Sequence, residues 1–187
     1  RQQISRSSSY TTLCRSEEML QHPQAMESGC DPDMNVYTME RNVYPRIDSS
    51  NVRCAGGHIH YGSDEIFQDP GSRERFIKLC DFYVGAPLAL IDKSTARKQT
   101  YGKAGNFRYK PYGVEYRTPS NIWLKSEKLM DYVFNGMKRA EQALVNGDLR
   151  QVRASERIIS TCISSGHNRH LYDVLDRAGR TIVKEFA

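Results

Sequence analysis

The sequence predicts an α+β domain whose mainly antiparallel sheet is packed by helices. Segments with alternating apolar and polar residues, which are typical of strands, lie in the middle of the chain. The last third instead carries apolar residues at helical spacing. Because strand-type and helix-type segments interleave without the regular βαβ spacing of a parallel sheet, antiparallel pairing is favoured.

Length and composition bound the domain. The chain has 187 residues and a mass of 21.4 kDa, which suits a single domain over residues 1–187 with a real core. Hydrophobic residues make up 39% and charged residues 26%, as in globular rather than disordered proteins. No run is long and apolar enough to span a bilayer, and no leader resembles a signal peptide. We therefore expect a cytoplasmic protein without a membrane partner.

The N-terminal part is expected to be loose. Residues 1–12 are polar and rich in serine, and residues 15–26 predict a short helix that ends near Pro23. A Gly/Asp/Pro turn in GCDPDMNVY then precedes an extended segment over residues 36–44. Because the chain begins at Arg1 rather than Met, we expect that an N-terminal portion precedes it.

Two strands are predicted near the centre of the chain. Residues 51–62, NVRCAGGHIHYG, alternate in part, which places His58 and His60 on one face of the sheet. Residues 113–119, GVEYRTP, alternate more clearly. This pattern places Glu115 and Arg117 on one face of the second strand and its apolar residues on the other.

A helix is predicted from Ser72 onward. Five residues form its apolar stripe: Phe76, Ile77, Cys80, Tyr83 and Val84. Pro87 is expected to bend or end this helix, because proline removes a backbone donor. The apolar run that follows stops at Asp92.

Helices are predicted over most of residues 124–180. The first carries one apolar stripe, formed by Leu129, Val133, Met137, Ala140 and Leu144. Asp148 is expected to cap a second helix, and HNRHLYDVLDRAG predicts a third that Gly179 ends. The last apolar run, TIVKEF, predicts a strand.

The net charge of +5 is concentrated in one stretch. Between residues 97 and 117 a single acid, Glu115, accompanies six cations: Arg97, Lys98, Lys103, Arg108, Lys110 and Arg117. This stretch alone sums to +5, and the remainder of the chain to zero. Cations among Gly and Tyr favour a pocket for a compact anion such as a nucleotide phosphate, whereas a solvated basic loop is the alternative.

Two short motifs carry candidate chemistry. In GGHIH, two imidazoles project the same way as possible metal ligands, and the two glycines would let a ligand approach the backbone. Histidines satisfied by neighbouring hydroxyls or carbonyls are the simpler alternative. In EYR, Glu115 and Arg117 would form only an ion pair in the simplest case. A carboxylate for Mg²⁺ beside a guanidinium for phosphate is also what phosphoryl transfer requires.

Taken in order, GGHIH and YGKAGNFRYKPYGVEYRTP resemble the ATP-dependent carboxylate–amine ligases of the glutamine synthetase and glutamate–cysteine ligase superfamily. The closest resemblance is to the phage-borne branch called COOH-NH2 ligase type 2. Glutamine synthetases have a G-x-H-x-H strand and a later I-E-[FY]-R-x-P strand, and GCDPDMNVY resembles the Gly-x-x-Pro segment of glutamate–cysteine ligase relatives. The likeness covers about residues 28–124. It implies a glutamine synthetase-like catalytic domain.

The resemblance also implies roles for single residues. The ligands of a divalent metal, Mg²⁺ or Mn²⁺, that orients the γ-phosphate of ATP would be His58 and Glu115. The nucleotide cofactor would be bound by His60, Arg97 and Lys110. The catalytic residues that neutralise phosphates and the acyl phosphate would be Arg117, Arg108 and Lys103.

The implied reaction uses ATP to phosphorylate a small-molecule or peptide carboxylate, and an amine then attacks the acyl phosphate to give an amide. Family members begin with strands that carry acidic metal ligands, and nothing before Cys30 resembles such a strand. A missing N-terminal part is the expected reason. The alternatives are lost activity, or a homo-oligomer or second chain that supplies the acids. The resemblance implies the cytoplasm of a phage-infected bacterium.

Two other functions stay open at this point. The missing acids favour a catalytically inactive ligase-like module that binds nucleotide or a peptide terminus. The positive net charge is compatible with a nucleic-acid binder, which usually spreads its cations over a face or tail. Because the excess charge is local here, we expect no nucleic-acid partner.

Overall fold

A computed structural model describes residues 12–14, 18, 21, 33–42, 52–54, 56–92, 98, 101–166 and 170–187. Within these residues the chain forms a five-stranded antiparallel sheet with helices packed against it. The predicted α+β class with an antiparallel sheet is therefore confirmed. Most of the predicted lead-in, most of the helix predicted over residues 15–26, and the end of the extended segment predicted over residues 36–44 lie outside the described residues.

The described strands form two sheets. In chain order they are β1 (Thr12–Cys14), β2 (Met34–Asn35), β3 (Glu40–Arg41), β4 (Val52–Cys54), β5 (Ile59–Gly62), β6 (Asn106–Lys110) and β7 (Gly113–Tyr116). β1 pairs with β4, and the larger sheet has the order β3-β2-β6-β7-β5. On β7, Glu115 lies directly opposite His60 of β5 on one side and Arg108 of β6 on the other. Because paired residues project from the same face, these three side chains share a face.

Two predicted strands are divided differently in the structure. Residues 36–39 form a turn between β2 and β3, closed by the Met39 N–H, which donates to the Asn35 carbonyl at 2.7 Å. The predicted strand over residues 51–62 is instead β4 and β5, which belong to separate sheets. Between them, Gly56 forms an isolated bridge to Ser120. The chain passes there from pairing with β1 to pairing with β7.

Strand β6 was interpreted from the sequence as part of a basic loop. Its side chains nevertheless alternate, because Phe107 is fully buried and Arg108 contacts Glu115 on the other face. The glycines and lysines around this short segment obscured its alternation. The basic stretch between residues 97 and 117 therefore contains the whole hairpin of β6 and β7.

The α-helices whose bounds are described are α1 (Ser72–Cys80), α2 (Ala86–Ile91), α3 (Glu127–Val145), α4 (Arg150–Ser165), α5 (Leu171–Val174) and α6 (Arg177–Phe186). A π-helical turn, Asp81–Gly85, joins α1 to α2, and a 3-10 helix, Asn121–Lys125, precedes α3. None of the described helices combines the length and the apolar character needed to cross a bilayer.

Pro87 does not end the first helical segment. It lies in the first turn of α2, where a missing N–H costs little, and the wide π turn before it separates α1 from α2. The segment continues to Ile91, and Asp92 caps it with a bond from its N–H to Leu88, at the position that the sequence predicted.

Three predictions for the C-terminal third are wrong. Asp148 does not cap α4, whose N-cap position is Leu149 and makes no side-chain cap bond. Gly179 lies in the first turn of α6 rather than at the end of a helix. Its N–H donates to the side chain of the N-cap residue, Asp176, at 2.7 Å. TIVKEF belongs to this helix, α6, and Ile182 and Val183 bury its apolar face. The amphipathic α3 is confirmed.

Candidate active site

Strand β7 separates the core from the candidate site. Val114 and Tyr116 are fully buried in the core on one face. Glu115 and Arg117 project from the other face, where Arg117 Nη1 donates a hydrogen bond to Glu115 Oε1. The two faces therefore carry the side chains that the sequence pattern assigned to them.

Glu115 lies at the centre of a group of cations. Lys110 Nζ is 3.0 Å and Arg108 Nη1 is 3.6 Å from its Oε2 atom, and Arg117 contacts Oε1. His58 Nδ1 lies 3.1 Å from the same Oε1. The structure thus brings together five of the predicted site residues. They come from the segment directly before β5, from β6, and from β7 and the residue that follows it.

The charges around Glu115 change its pKa. Burial alone raises the pKa of this carboxyl, but the hydrogen bond from Lys110 and the charge of Arg117 outweigh burial and lower the pKa to about 2. The carboxylate is therefore ionised at neutral pH. It neutralises only part of the cationic charge around it.

Arg117 is enclosed by its partners. Its side chain is 1% exposed, its Nε donates to Asp33 at 2.9 Å, and its remaining contacts are to Glu115, His58 and the Tyr101 hydroxyl. Burial lowers the pKa of this guanidinium, but the interactions with Tyr101 and Asp33 raise it overall. Arg117 therefore organises the site, and the partly exposed cations are Lys110 and Arg108.

Asp33 is a site carboxylate that sequence reasoning missed. It precedes β2, is 1% exposed, and accepts hydrogen bonds from Arg117 Nε and from Asn42 Nδ2 at 2.7 Å. The sequence predicts a turn for this stretch, and Glu115 is the single acid in the basic stretch between residues 97 and 117. The signal was an acid directly before Met34, the first residue of a strand that borders β6.

The other predicted site residues have different surroundings. His60 is exposed and its Nδ1 contacts the Tyr112 hydroxyl in the β6–β7 turn. Lys103 is exposed, and its backbone carbonyl accepts from Thr118 Oγ1 at 3.0 Å. Arg97 lies outside the described residues. The structure therefore does not bring the Lys103 side chain into the group around Glu115, and the role of Arg97 stays a prediction.

The glycines before His58 make room for the protein itself. A Cβ atom on Gly57 would lie 2.3 Å from the Ser120 carbonyl oxygen and from Trp123 Nε1. One on Gly56 would lie 2.3 Å from His58 Nε2. The expected close approach is thus made by neighbouring segments of the chain, which fix His58 in front of β5.

The described residues fit an anion better than a metal ion. Asp33 and Glu115 both accept bonds from Arg117, and Glu115 also contacts Lys110 and Arg108. Within the described ranges, no three His, Cys, Asp or Glu side chains are grouped as metal ligands. Mg²⁺ binds through carboxylate oxygens, and those of Asp33 and Glu115 are engaged with cations or, at Asp33 Oδ1, with the amide of Asn42. The metal-ligand roles of His58 and Glu115 stay predictions.

Comparison with known families decides the family. A family model described as phage phiEco32-like COOH.NH2 ligase-type 2 matches residues 40–184. The chain belongs to this family. As the family name states, it is a carboxylate–amine ligase family associated with phage, so the resemblance noted in the sequence is confirmed.

The matched range includes β5, β6 and β7 and therefore the group around Glu115. It begins after Asp33. No curated protein and no solved structure matches the chain. The glutamine synthetase-like arrangement stays a prediction from the resemblance.

Proposed function

We propose that this protein is an ATP- and Mg²⁺-dependent carboxylate–amine ligase that acts through an acyl phosphate. The observation that carries the proposal is the group of cations around Glu115 on the face of β7 opposite the core. Three cations contact one carboxylate there, and two of their side chains, Lys110 and Arg108, are 28% and 17% exposed. Such partly exposed cations suit the phosphates of a nucleotide.

In the proposed reaction, a carboxylate oxygen of a small-molecule or peptide substrate attacks the γ-phosphorus of ATP, and ADP leaves. The amine then attacks the acyl carbon, the C–O bond to phosphate breaks, and the amine proton passes to solvent. Negative charge is present on the transferring phosphoryl group throughout. Lys110 and Arg108 would neutralise this charge, and a fixed geometry makes such neutralisation effective.

Arg117 is proposed to hold the other groups in place. Its donors are bonded to Asp33, Glu115 and Tyr101. This geometry therefore favours a positioning role for Arg117 over the predicted direct contact with a phosphate. His60, which lies opposite Glu115 in register and is exposed, would face the nucleotide.

Mg²⁺ or Mn²⁺ is proposed to enter as part of the nucleotide complex. Mg²⁺ usually keeps several waters and binds substrate phosphates together with one or two carboxylates rather than a complete protein cage. When bound, it would neutralise phosphate charge. Because the reaction consumes ATP, we also propose that the protein acts in the host bacterial cytoplasm.

A second candidate is an inactive ligase-like module that binds nucleotide or a peptide terminus. The specific observation in its favour is that both site carboxylates, Asp33 and Glu115, are bonded to Arg117. A site of this kind would bind an anion without a divalent metal. Nucleic acid is not proposed as a partner of either candidate.

The test is ADP and phosphate release by the purified chain with MgATP and a panel of carboxylates and amines. The variant Lys110→Ala should lower the rate about a hundredfold, as expected when one donor to a developing charge is removed. The control variant Lys138→Ala removes an exposed cation of α3 outside the site and should keep the wild-type rate.

The two candidates differ in their response to metal. Nucleotide binding that is unchanged by removal of Mg²⁺, with no ADP from any pair in the panel, would support the inactive module. Equal rates for Lys110→Ala and wild type would show that reaction occurs elsewhere than at this group of cations.

A further inference from the structure

We propose that Asp81, on the core side of the sheet, is a positioning residue that fixes Arg117 and the loop before β6. This inference rests on the proposed function, because it concerns the same site. Asp81 touches none of the side chains around Glu115. It acts through Tyr116, the chain neighbour of Glu115 and Arg117, and through Gly105, which precedes the backbone partner of Arg117 across the sheet.

Asp81 is a fully buried carboxylate with neutral hydrogen-bond donors. Its relative exposure is 0%, and it lies at the start of the π-helical turn. Oδ1 accepts from the Tyr116 hydroxyl at 2.6 Å, and Oδ2 accepts from the Gly105 N–H at 2.6 Å and from the Tyr37 hydroxyl at 2.9 Å. An isolated carboxylate is costly to bury, so these directed bonds are what hold it there.

The first connection to the site runs along β7. Tyr116 stands between Glu115 and Arg117, and its hydroxyl is fixed by Asp81. A strand whose central side chain is anchored at its tip resists rotation and sliding. On the opposite face, Glu115 is then held in register with His60 and Arg108, and Arg117 keeps its backbone bond to Asn106.

The second connection runs through Gly105. The next residue, Asn106, accepts from the backbone N–H of Arg117 at 2.8 Å. Asp81 thus bonds to Tyr116, which precedes Arg117 along the chain, and to Gly105, which precedes the partner of Arg117 across the sheet. Gly105 also ends the loop that carries Tyr101, the hydroxyl partner of Arg117.

Gly85 supports this arrangement. A Cβ atom there would lie 2.5 Å from the Tyr116 hydroxyl oxygen and 3.1 Å from Asp81 Oδ1. The π turn therefore carries an acid at its first position and leaves open space at its last, and the hydroxyl of Tyr116 fills that space. π turns of this kind are frequent at functional sites.

The contacts of Asp81 permit a sharp set of variants. In Asp81→Asn the amide has one acceptor oxygen in place of two: when this oxygen keeps the bonds from Gly105 and Tyr37, the NH2 group faces the Tyr116 hydroxyl, whose own O–H then loses its acceptor. Tyr116→Phe removes the connection along β7. Tyr37→Phe is the matched control, because it removes a bond to the same carboxylate from a residue that flanks none of the groups around Glu115.

The first readout is the Nε–H resonance of Arg117 in the NMR spectrum of the full chain, which needs neither substrate nor nucleotide. We expect it to shift or broaden in Asp81→Asn and in Tyr116→Phe, and to keep its wild-type position in Tyr37→Phe. Thermal midpoints measured on the same samples report stability. A merely structural role for Asp81 would lower the midpoints without moving the Arg117 resonance.

The second readout is ADP release with MgATP, where Asp81→Asn and Tyr116→Phe should lose between about tenfold and a hundredfold and Tyr37→Phe less than about twofold. If Asp81→Asn does not fold, Tyr116→Phe carries the comparison. An unchanged Arg117 resonance in the folded variants would overturn the positioning role. An altered resonance in a chain that never releases ADP would support the positioning role and reject the proposed reaction.

Discussion

The two faces of β7 hold carboxylates in opposite surroundings. On the site face, Glu115 is contacted by three cations, and its pKa falls to about 2. On the core face, burial raises the pKa of Asp81 to about 6, although hydrogen bonds from Tyr116 and Tyr37 act against this rise. The pKa values of the two carboxyl groups therefore differ by about four, although a single strand separates them.

The difference shows what each carboxylate does. Glu115 is ionised at every physiological pH and balances charge, so its contribution is electrostatic. Among the described residues the hydrogen-bond donors of Asp81 are neutral, and with a pKa of about 6 the carboxyl is mostly ionised at pH 7, so its contribution is directional. An anion site on this sheet therefore combines a face lined by cations with a buried carboxylate behind it that neutral donors hold.

The largest expected effect is on the charged face. Glu115→Gln leaves Arg117 buried beside a neutral amide, and we expect a loss of about 3–5 kcal/mol in the free energy of unfolding, as for other broken buried ion pairs. Denaturant unfolding measures it. The control Glu185→Gln breaks an exposed pair with Lys128 and should lose less than about 1 kcal/mol. Equal losses in the two variants would remove the contrast between the faces.

The next effect is the pH dependence of stability from Asp81. Its pKa is about 6 in the folded chain and near 3.8 when unfolded, so the folded chain binds more protons between these values. The free energy of unfolding should fall by about 3 kcal/mol from this group as pH rises from 3 to 7, with about 2 kcal/mol of this fall between pH 4 and 6. In Asp81→Asn this slope should be missing, as unfolding curves at several pH values would reveal.

Glu115 should give the opposite slope at lower pH. Its pKa is lowered from 4.5 to about 2, so the folded chain binds fewer protons in that window. Its contribution to stability is present above about pH 4.5 and is lost as pH falls towards 2. Comparing wild type with Glu115→Gln over this range isolates the effect, and a slope that is identical in both would count against the ion pairs described here.

The smallest expected effect concerns a single neutral donor. Tyr37→Phe removes one hydroxyl from Asp81 and should cost about 1–2 kcal/mol in the free energy of unfolding, with the rate of ADP release unchanged. Unfolding curves and the ADP assay on one preparation measure both. A large loss of rate would mean that the support behind the sheet is less selective than its contacts indicate.

Sequence reasoning found the charged face because its signal is local. Glu115 and Arg117 are two residues apart on a strand with clear alternation, and the histidine motif lies on a neighbouring strand. Period two and the charge of the stretch were sufficient to assign these side chains to one face. The amphipathic stripe of α3 was found for the same reason.

Asp33 on the site face and Asp81 behind the sheet both depend on contacts that no local sequence pattern contains. Asp33 and Arg117 are 84 residues apart, and Asp81 bonds to residues 44 positions before it and 24 and 35 positions after it. Asp81 is also a polar residue within an apolar helical segment, and this position alone does not indicate which residues it bonds. Its partners become visible only when the hairpin of β6 and β7 packs on the π turn.

The most direct test of the central claim is a structure of the protein with a non-hydrolysable ATP analogue and Mg²⁺. We expect phosphate oxygens within about 3 Å of Lys110 and Arg108 nitrogen atoms, on the face of β7 that carries Glu115. Phosphates bound on another surface, with the cations around Glu115 unchanged and distant from the analogue, would contradict the claim.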